Sequence, residues 1–267
     1  DGVMRKDTDF ELYSSEKSRW IYYKATVGGP LVVNEWVWYS APESDKGGFY
    51  RYHGADGASY SGIQQVNGTL YFFDDNGAMA DDGEYYSWDQ ESQKSFHVRA
   101  KAGGALYRNE WYKKTYENST YYQWYYYGDN GCAAQGLTTI GSTTYYFAPY
   151  SYSMLTSGMC YDSDEGYSYY ADKYGNAVRL NQNGWTLVGN EYYYCEDGMY
   201  VSGQVKLIGE KQYLFNYHGT MLNNDYMNTT WNGVRINVRA RAGGALYCNE
   251  WYSDGSQWIY YDSDCNR

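Results

Sequence analysis

RAKAGGALYRNEWY, from Arg99 to Tyr112, returns almost letter for letter as RARAGGALYCNEWY from Arg239 to Tyr252. A looser copy, KATVGGPLVVNEW, runs from Lys24 to Trp36, and a worn one, YGNAVRLNQNGW, from Tyr174 to Trp185 with two extra residues before its Trp. Aligned on the first glycine of each copy, the anchors are Gly28, Gly103, Gly175 and Gly243, spaced 75, 72 and 68 residues apart. Four copies at a near-constant interval define a repeat protein, and the repeat governs every other reading of the chain.

A shorter period lies inside the long one. Tyr71-Phe72-Phe73-Asp74-Asp75-Asn76-Gly77 reads as an aromatic strand running into a DDNG hairpin turn. Comparable units end at Gly28, Gly57, Gly77, Gly103, Gly131, Gly175, Gly198, Gly219 and Gly243, with one more at Ser151 or Tyr152 and one at Cys265. The chain is therefore expected to be a single array over residues 1–267 of eleven hairpins, three to each long period. The long periods run near 28–102, 103–174 and 175–242, with partial ends. Asp1-Gly2-Val3-Met4 matches Asn76-Gly77-Ala78-Met79, which reads as the tail of another hairpin and makes the chain a fragment of a longer array.

Leu, Ile, Val and Phe make up only about 14% of the chain, a share that with a net charge of −11 would suggest disorder. The 38 Tyr and 10 Trp overrule it, because aromatic side chains bury large areas and favour strands. With three Pro and no sustained helical periodicity, the chain reads as all β. An isolated hairpin is marginal, so each must stack on its neighbours, and three hairpins per superhelical turn would make every third one alike.

Acidity argues against a nucleic-acid partner, which needs a basic face, and no apolar run reaches membrane-spanning length. Five Cys form no metal-binding spacing, and their pairing stays open. No catalytic signature stands out among His53, His97 and His218, and Asp162-Ser163-Asp164-Glu165-Gly166 lacks the twelfth-position Glu of a calcium loop, Lys173 standing there instead. Neither a metal nor a cofactor is expected.

The pairs Tyr71/Phe73, Tyr125/Tyr127, Tyr192/Tyr194 and Tyr213/Phe215 each share a strand face, and the reading places them inward. The alternate face, Leu70/Phe72, Trp124/Tyr126, Glu191/Tyr193 and Gln212/Leu214, is the one expected to meet a ligand.

GDNGCAAQGLTTIGSTTYYF (Gly128 to Phe147) and VNGTLYFFDDNGAM (Val66 to Met79) resemble the cell-wall-binding repeats of Gram-positive surface proteins. That family includes choline-binding modules, glucan-binding repeats of glucosyltransferases and repeats of the large clostridial toxins. The resemblance spans essentially the whole chain and implies a β-solenoid of stacked β-hairpins, about three per superhelical turn. It also implies a non-catalytic, secreted, cell-wall-associated module that binds cell-wall or extracellular polysaccharide of the glucan type. The alternatives are choline recognition on teichoic acid and a passive stalk.

Ligand sites of the choline type are aromatic boxes between consecutive hairpins, and the resemblance carries that role to the opening Trp36, Trp111, Trp185 and Trp251. It carries it also to Trp124/Tyr126 and Trp258/Tyr260. Arg99 with Lys101, and Arg239 with Arg241, stand two apart, about a dozen residues before Glu110-Trp111 and Glu250-Trp251. One reading makes a sugar site of Arg99, Glu110, Arg239, Glu250 and the tryptophans; the other makes the charges an ion-pair ladder.

Overall fold

The computed structural model describes residues 5–89, 92–231 and 233–267, with backbone alone at Trp231. The match expected of Asp1 to Met4 lies outside the described residues. The chain forms two compact units, residues 1–134 and 135–267. In the first, β1 (Thr8–Ser14) pairs with β2 (Arg19–Ala25), β3 (Glu35–Ser40) with β4 (Gly48–His53), and β5 (Gly62–Val66) with β6 (Thr69–Phe73). β7 (Gly83–Asp89) pairs with β8 (Lys94–Ala100), and β9 (Glu110–Thr115) with β10 (Tyr122–Tyr127). In the second, the hairpins are β11 (Gly136–Ile140) with β12 (Thr143–Phe147) and β13 (Gly158–Asp162) with β14 (Tyr167–Ala171), which also takes β15 (Ala177–Arg179). Then come β16 (Gly184–Val188) with β17 (Glu191–Glu196) and β18 (Met199–Tyr200), and β19 (Gln204–Ile208) with β20 (Lys211–Phe215). β21 (Tyr226–Trp231) with β22 (Val234–Arg239), and β23 (Glu250–Ser253) with β24 (Trp258–Tyr261), complete the unit. All the pairings are antiparallel, and no helix occurs among the described residues.

The DDNG turn plays a different part from the one expected. The tip of the β5–β6 hairpin is Asn67-Gly68, both with positive φ (49° and 86°), the two-residue loop that matches strand twist. Asp74 to Gly77 instead follows β6 and folds the chain back on it: Gly77 N–H bonds the Asp74 carbonyl at 2.9 Å, and Phe73 bridges Met79. The Asp74 carboxylate accepts the N–H groups of Asn76 and Ala78, which is why Asp leads so many of these turns. The same geometry shows that the second glycine, not the first, is the turn residue of the GG copies. Gly29, Gly104 and Gly244 bond Thr26, Lys101 and Arg241, as Gly175 bonds Asp172.

Among the described residues, seven return segments dock on the preceding hairpin through a backbone bond. Ser59 donates to Tyr22, Met79 to Tyr50, Leu106 to Leu70 and Ala133 to His97 in the first unit. Met221 donates to Tyr192, Leu246 to Gln212 and Arg267 to Asn237 in the second. At Gly104 (φ 86°) a Cβ would lie 2.4 Å from the Met79 methyl, so glycine is what lets successive turns nest.

This docking corrects the inward–outward assignment. Tyr125/Tyr127 are buried as expected, but Phe72 and Phe73 are both buried, as are Leu214 and Phe215. In β17 the order is reversed: Tyr193 and Cys195 are buried, while Tyr192 is exposed. At the ends of β6, β12 and β20 two successive residues are buried, so both faces are covered there, whereas β10 and β17 keep the alternation with β17 in the opposite phase.

His53 and His97 lie in the core, and burial pushes the His97 imidazole down to about 4. Asp162 heads an acidic turn, its Oδ1 accepting Asp164 and Glu165 N–H. Among the described residues no three His, Cys, Asp or Glu side chains could share a metal. Cys248 and Cys265 form a disulfide, while Cys132, Cys160 and Cys195 are free. At the equivalent place in the second copy, Arg108 donates to Asp129 Oδ1 at 2.7 Å, so a covalent and an ionic tie fasten the same two segments.

Candidate functional site

The sequence EWVW in β3 puts Trp36 and Trp38 two apart on one strand face, opposite Tyr52 and Tyr50 of β4. Trp36 meets Tyr52 edge-on at 5.1 Å between ring centroids and reaches the next hairpin, where Tyr71 lies at 4.9 Å and Phe73 at 5.8 Å. Trp38 contacts Tyr50 at 4.8 Å and remains 48% exposed. Gly48, the diagonal neighbour two residues before Tyr50 on β4, leaves the indole room: a Cβ there would fall 2.5 Å from Trp38 Cζ2.

The opposite wall comes from the segment between β6 and β7. Asp81 is fixed by three contacts: its Oδ1 accepts Gly103 N–H at 2.7 Å, and its backbone N–H and carbonyl both bond the Tyr85 hydroxyl at 3.0 Å. Lys46, from the β3–β4 loop, donates to the Asp81 carbonyl and lies 3.6 Å from its carboxylate. Together these residues line a cleft of about 740 Å³ within the first unit, walled by Trp36, Trp38, Tyr50, Tyr71 and Tyr85 with Asp81 and Asp82 beside them. An aromatic concavity with a few fixed polar groups is suited to the apolar face of a sugar ring or to a cation.

The second unit repeats this framework with weaker chemistry. Trp185 meets Tyr194 at 5.0 Å, Tyr213 at 4.9 Å and Phe215 at 5.8 Å, near-superposable with the distances around Trp36. Leu187 stands where Trp38 does, opposite Tyr192 as Trp38 is opposite Tyr50. Asn223 accepts Gly243 N–H as Asp81 accepts Gly103, and Met227 faces Val238 as Tyr85 faces Val98.

Trp111, Trp124 and Tyr126 come together on one face of β9–β10, with centroids 6.2 and 5.2 Å from Trp111. Lys113 takes the Trp38 position there, and its ammonium lies 4.0 Å over Tyr122. Trp251 and Tyr260 pair at 5.2 Å, with Trp258 on the same face of β23–β24 and both tryptophans exposed.

The composite site of Arg, Glu and Trp does not assemble. Arg99 bonds Glu84 at 3.1 Å and stacks on Tyr112 at 3.9 Å; Arg239 stacks on Tyr252 at 4.1 Å. Glu110 is taken by Lys101 at 2.7 Å, and Glu250 by Arg241. Glu110 and Tyr112 alternate with Trp111 along β9, so the pleat sends the charged pairs and the indole to opposite faces. The charges follow the ion-pair reading. Trp38, Tyr50, Asp81 and Tyr85 escaped the sequence reading; the signal for the first was the Trp-x-Trp alternation of β3.

The chain is 28% identical over 231 residues to Glucosyltransferase-S of Streptococcus mutans, covering 79% of this chain and 14% of that protein. It is 29% identical over 147 residues to Glucosyltransferase-S of Streptococcus downei, covering 52% of this chain and 10% of that protein. The resemblance to the cell-wall-binding repeat family holds. No protein-family model matches the chain. Among solved structures, choline binding protein F from Streptococcus pneumoniae aligns with a TM-score of 0.44 at 18% identity, over 85% of this chain and 75% of that one. This chain thus spans a small part of the length of its glucosyltransferase relatives.

Proposed function

We propose that this chain is a non-catalytic module that binds cell-wall or extracellular polysaccharide of the glucan type and anchors a secreted surface protein. The cleft walled by Trp36 and Trp38 carries the reading: it presents a half-exposed indole, supported from beneath, beside fixed hydrogen-bonding groups. The sequence relation to glucosyltransferases supports the glucan class. Within each unit, backbone bonds from return segments to the previous hairpin support stacked β-hairpins, and the sequence repeat over residues 1–267 supports a single β-solenoid array of about three hairpins per turn. Weak sites repeated along such an array gain strength toward a polymer by avidity.

A second reading, recognition of choline, draws support from the carboxylates of Asp81 and Asp82 beside the aromatic wall. Co-sedimentation with insoluble dextran tests the first reading. The wild type should sediment with the polymer, and Trp38→Ala should weaken binding by about tenfold, the ~1.4 kcal/mol of one stacking contact, with thermal unfolding little changed. Absence of the wild type from the pellet, or equal sedimentation of the variant, would overturn it.

A further inference from the structure

Lys46 stands where the two readings of the cleft part. The β3–β4 loop that carries it is ordered by its own bonds: Ala41 N–H to the Gly47 carbonyl, Ser44 N–H to Ala41, and Gly47 N–H to Ser44, each at 2.9 Å. From that loop, beside Trp38, the side chain crosses the cleft to Asp81 on the opposite wall and engages both its carbonyl and its carboxylate. Asp81 cannot turn away, because Gly103 N–H and the Tyr85 hydroxyl hold it in place.

We infer that Lys46 is the specificity-determining residue of this cleft, admitting neutral sugar hydroxyls and disfavouring a quaternary ammonium. This rests on the cleft being the ligand site proposed above. A cation stacked on Trp38 would find the Asp81 carboxylate already paired and a like charge at the mouth. A sugar meets no such conflict: the ammonium has three donors for hydroxyl oxygens, and Asp82, which is exposed, can accept from a hydroxyl.

Elsewhere in the chain the protein's own cations are used differently. Arg51 lies 4.0 Å over Tyr22 and 4.6 Å over Tyr39, Lys113 lies 4.0 Å over Tyr122, and Arg179 lies 4.4 Å over Tyr167. In each case one of the protein's own cations covers an aromatic face that an external cation would need. At the Trp36–Trp38 cleft the ammonium covers the carboxylate instead and leaves the rings open.

The test is titration of the full chain with choline chloride and, separately, with an isomalto-oligosaccharide, each followed by Trp fluorescence at low and high salt. Lys46→Ala should raise choline affinity by about fivefold at low salt, less at high salt, because removing a like charge at a partly exposed site has an effect of that order. Lys46→Arg should keep choline affinity at the wild-type level, and Lys46→Ala should leave sugar affinity unchanged or lower it. Unchanged choline affinity in Lys46→Ala overturns the role of Lys46 even where the sugar binds as proposed. Failure of the wild type to bind sugar strikes the polysaccharide reading and with it the sugar-admitting role, while a choline gain in Lys46→Ala, absent in Lys46→Arg, would still uphold Lys46 as the group that disfavours a quaternary ammonium.

Discussion

Replacing Trp36 and Trp38 one at a time separates what holds the first unit together from what its cleft presents. Trp36 touches four rings, two of them on the neighbouring hairpin: Tyr50 and Tyr52 on its own, Tyr71 and Phe73 on the next. Truncating a packed Trp costs about 3–5 kcal/mol. Trp36 is only partly buried, so the lower end applies, ~3 kcal/mol, much of it the loss of ring pairs worth about 0.5–1.5 kcal/mol each. Trp38 touches Tyr50 and keeps half its surface in water, so Trp38→Ala should cost about 1 kcal/mol. Urea unfolding of both variants, with Tyr and Trp emission as the probe, reads the difference directly. Dextran binding read in parallel should fall sharply for Trp38→Ala at nearly unchanged midpoint. Equal midpoints for the two variants would refute the claim that Trp36 is the inter-hairpin staple.

Two further expectations concern groups away from the cleft. Burial lowers the His97 pKa to about 4, below the unfolded value near 6.5, so the unfolded chain takes up the proton first and stability is lost as pH falls from about 6.5 toward 4, by about 1–3 kcal/mol in all. Denaturant titrations at descending pH check this, and His97→Phe should flatten the slope between pH ~6.5 and ~5; an unchanged slope would show that other groups carry it. Reducing Cys248–Cys265, which spans a sequence separation of 17, should destabilise the last hairpin locally by about 3 kcal/mol, seen as faster amide exchange in residues 248–267. Exchange unaltered by reductant would mean that packing alone holds that hairpin.

The sequence by itself determined the all-β class and the repeat, because aromatic alternation and turn chemistry are local: an Asp or Asn at the head of a turn and a glycine at its end act on their own backbone. It also marked Trp36, Trp111, Trp185 and Trp251 as equivalent, since repetition is visible without coordinates. It misassigned the DDNG turn and the buried face of β17, because both depend on where the next hairpin lands. Arg99 and Glu110 went to separate partners, Arg99 to Glu84 and the Tyr112 ring and Glu110 to Lys101, for the same reason; proximity along the chain does not say which side of the pleat a residue takes. Only the tertiary structure decided that Trp36 is packed where Trp38 is open, that Leu187 and Met227 erode the matching place in the second unit, and that Lys46 reaches Asp81 from a loop 35 residues away. A ligand cleft is a relation between hairpins, and that relation is set by docking bonds and ring packing that no single repeat contains.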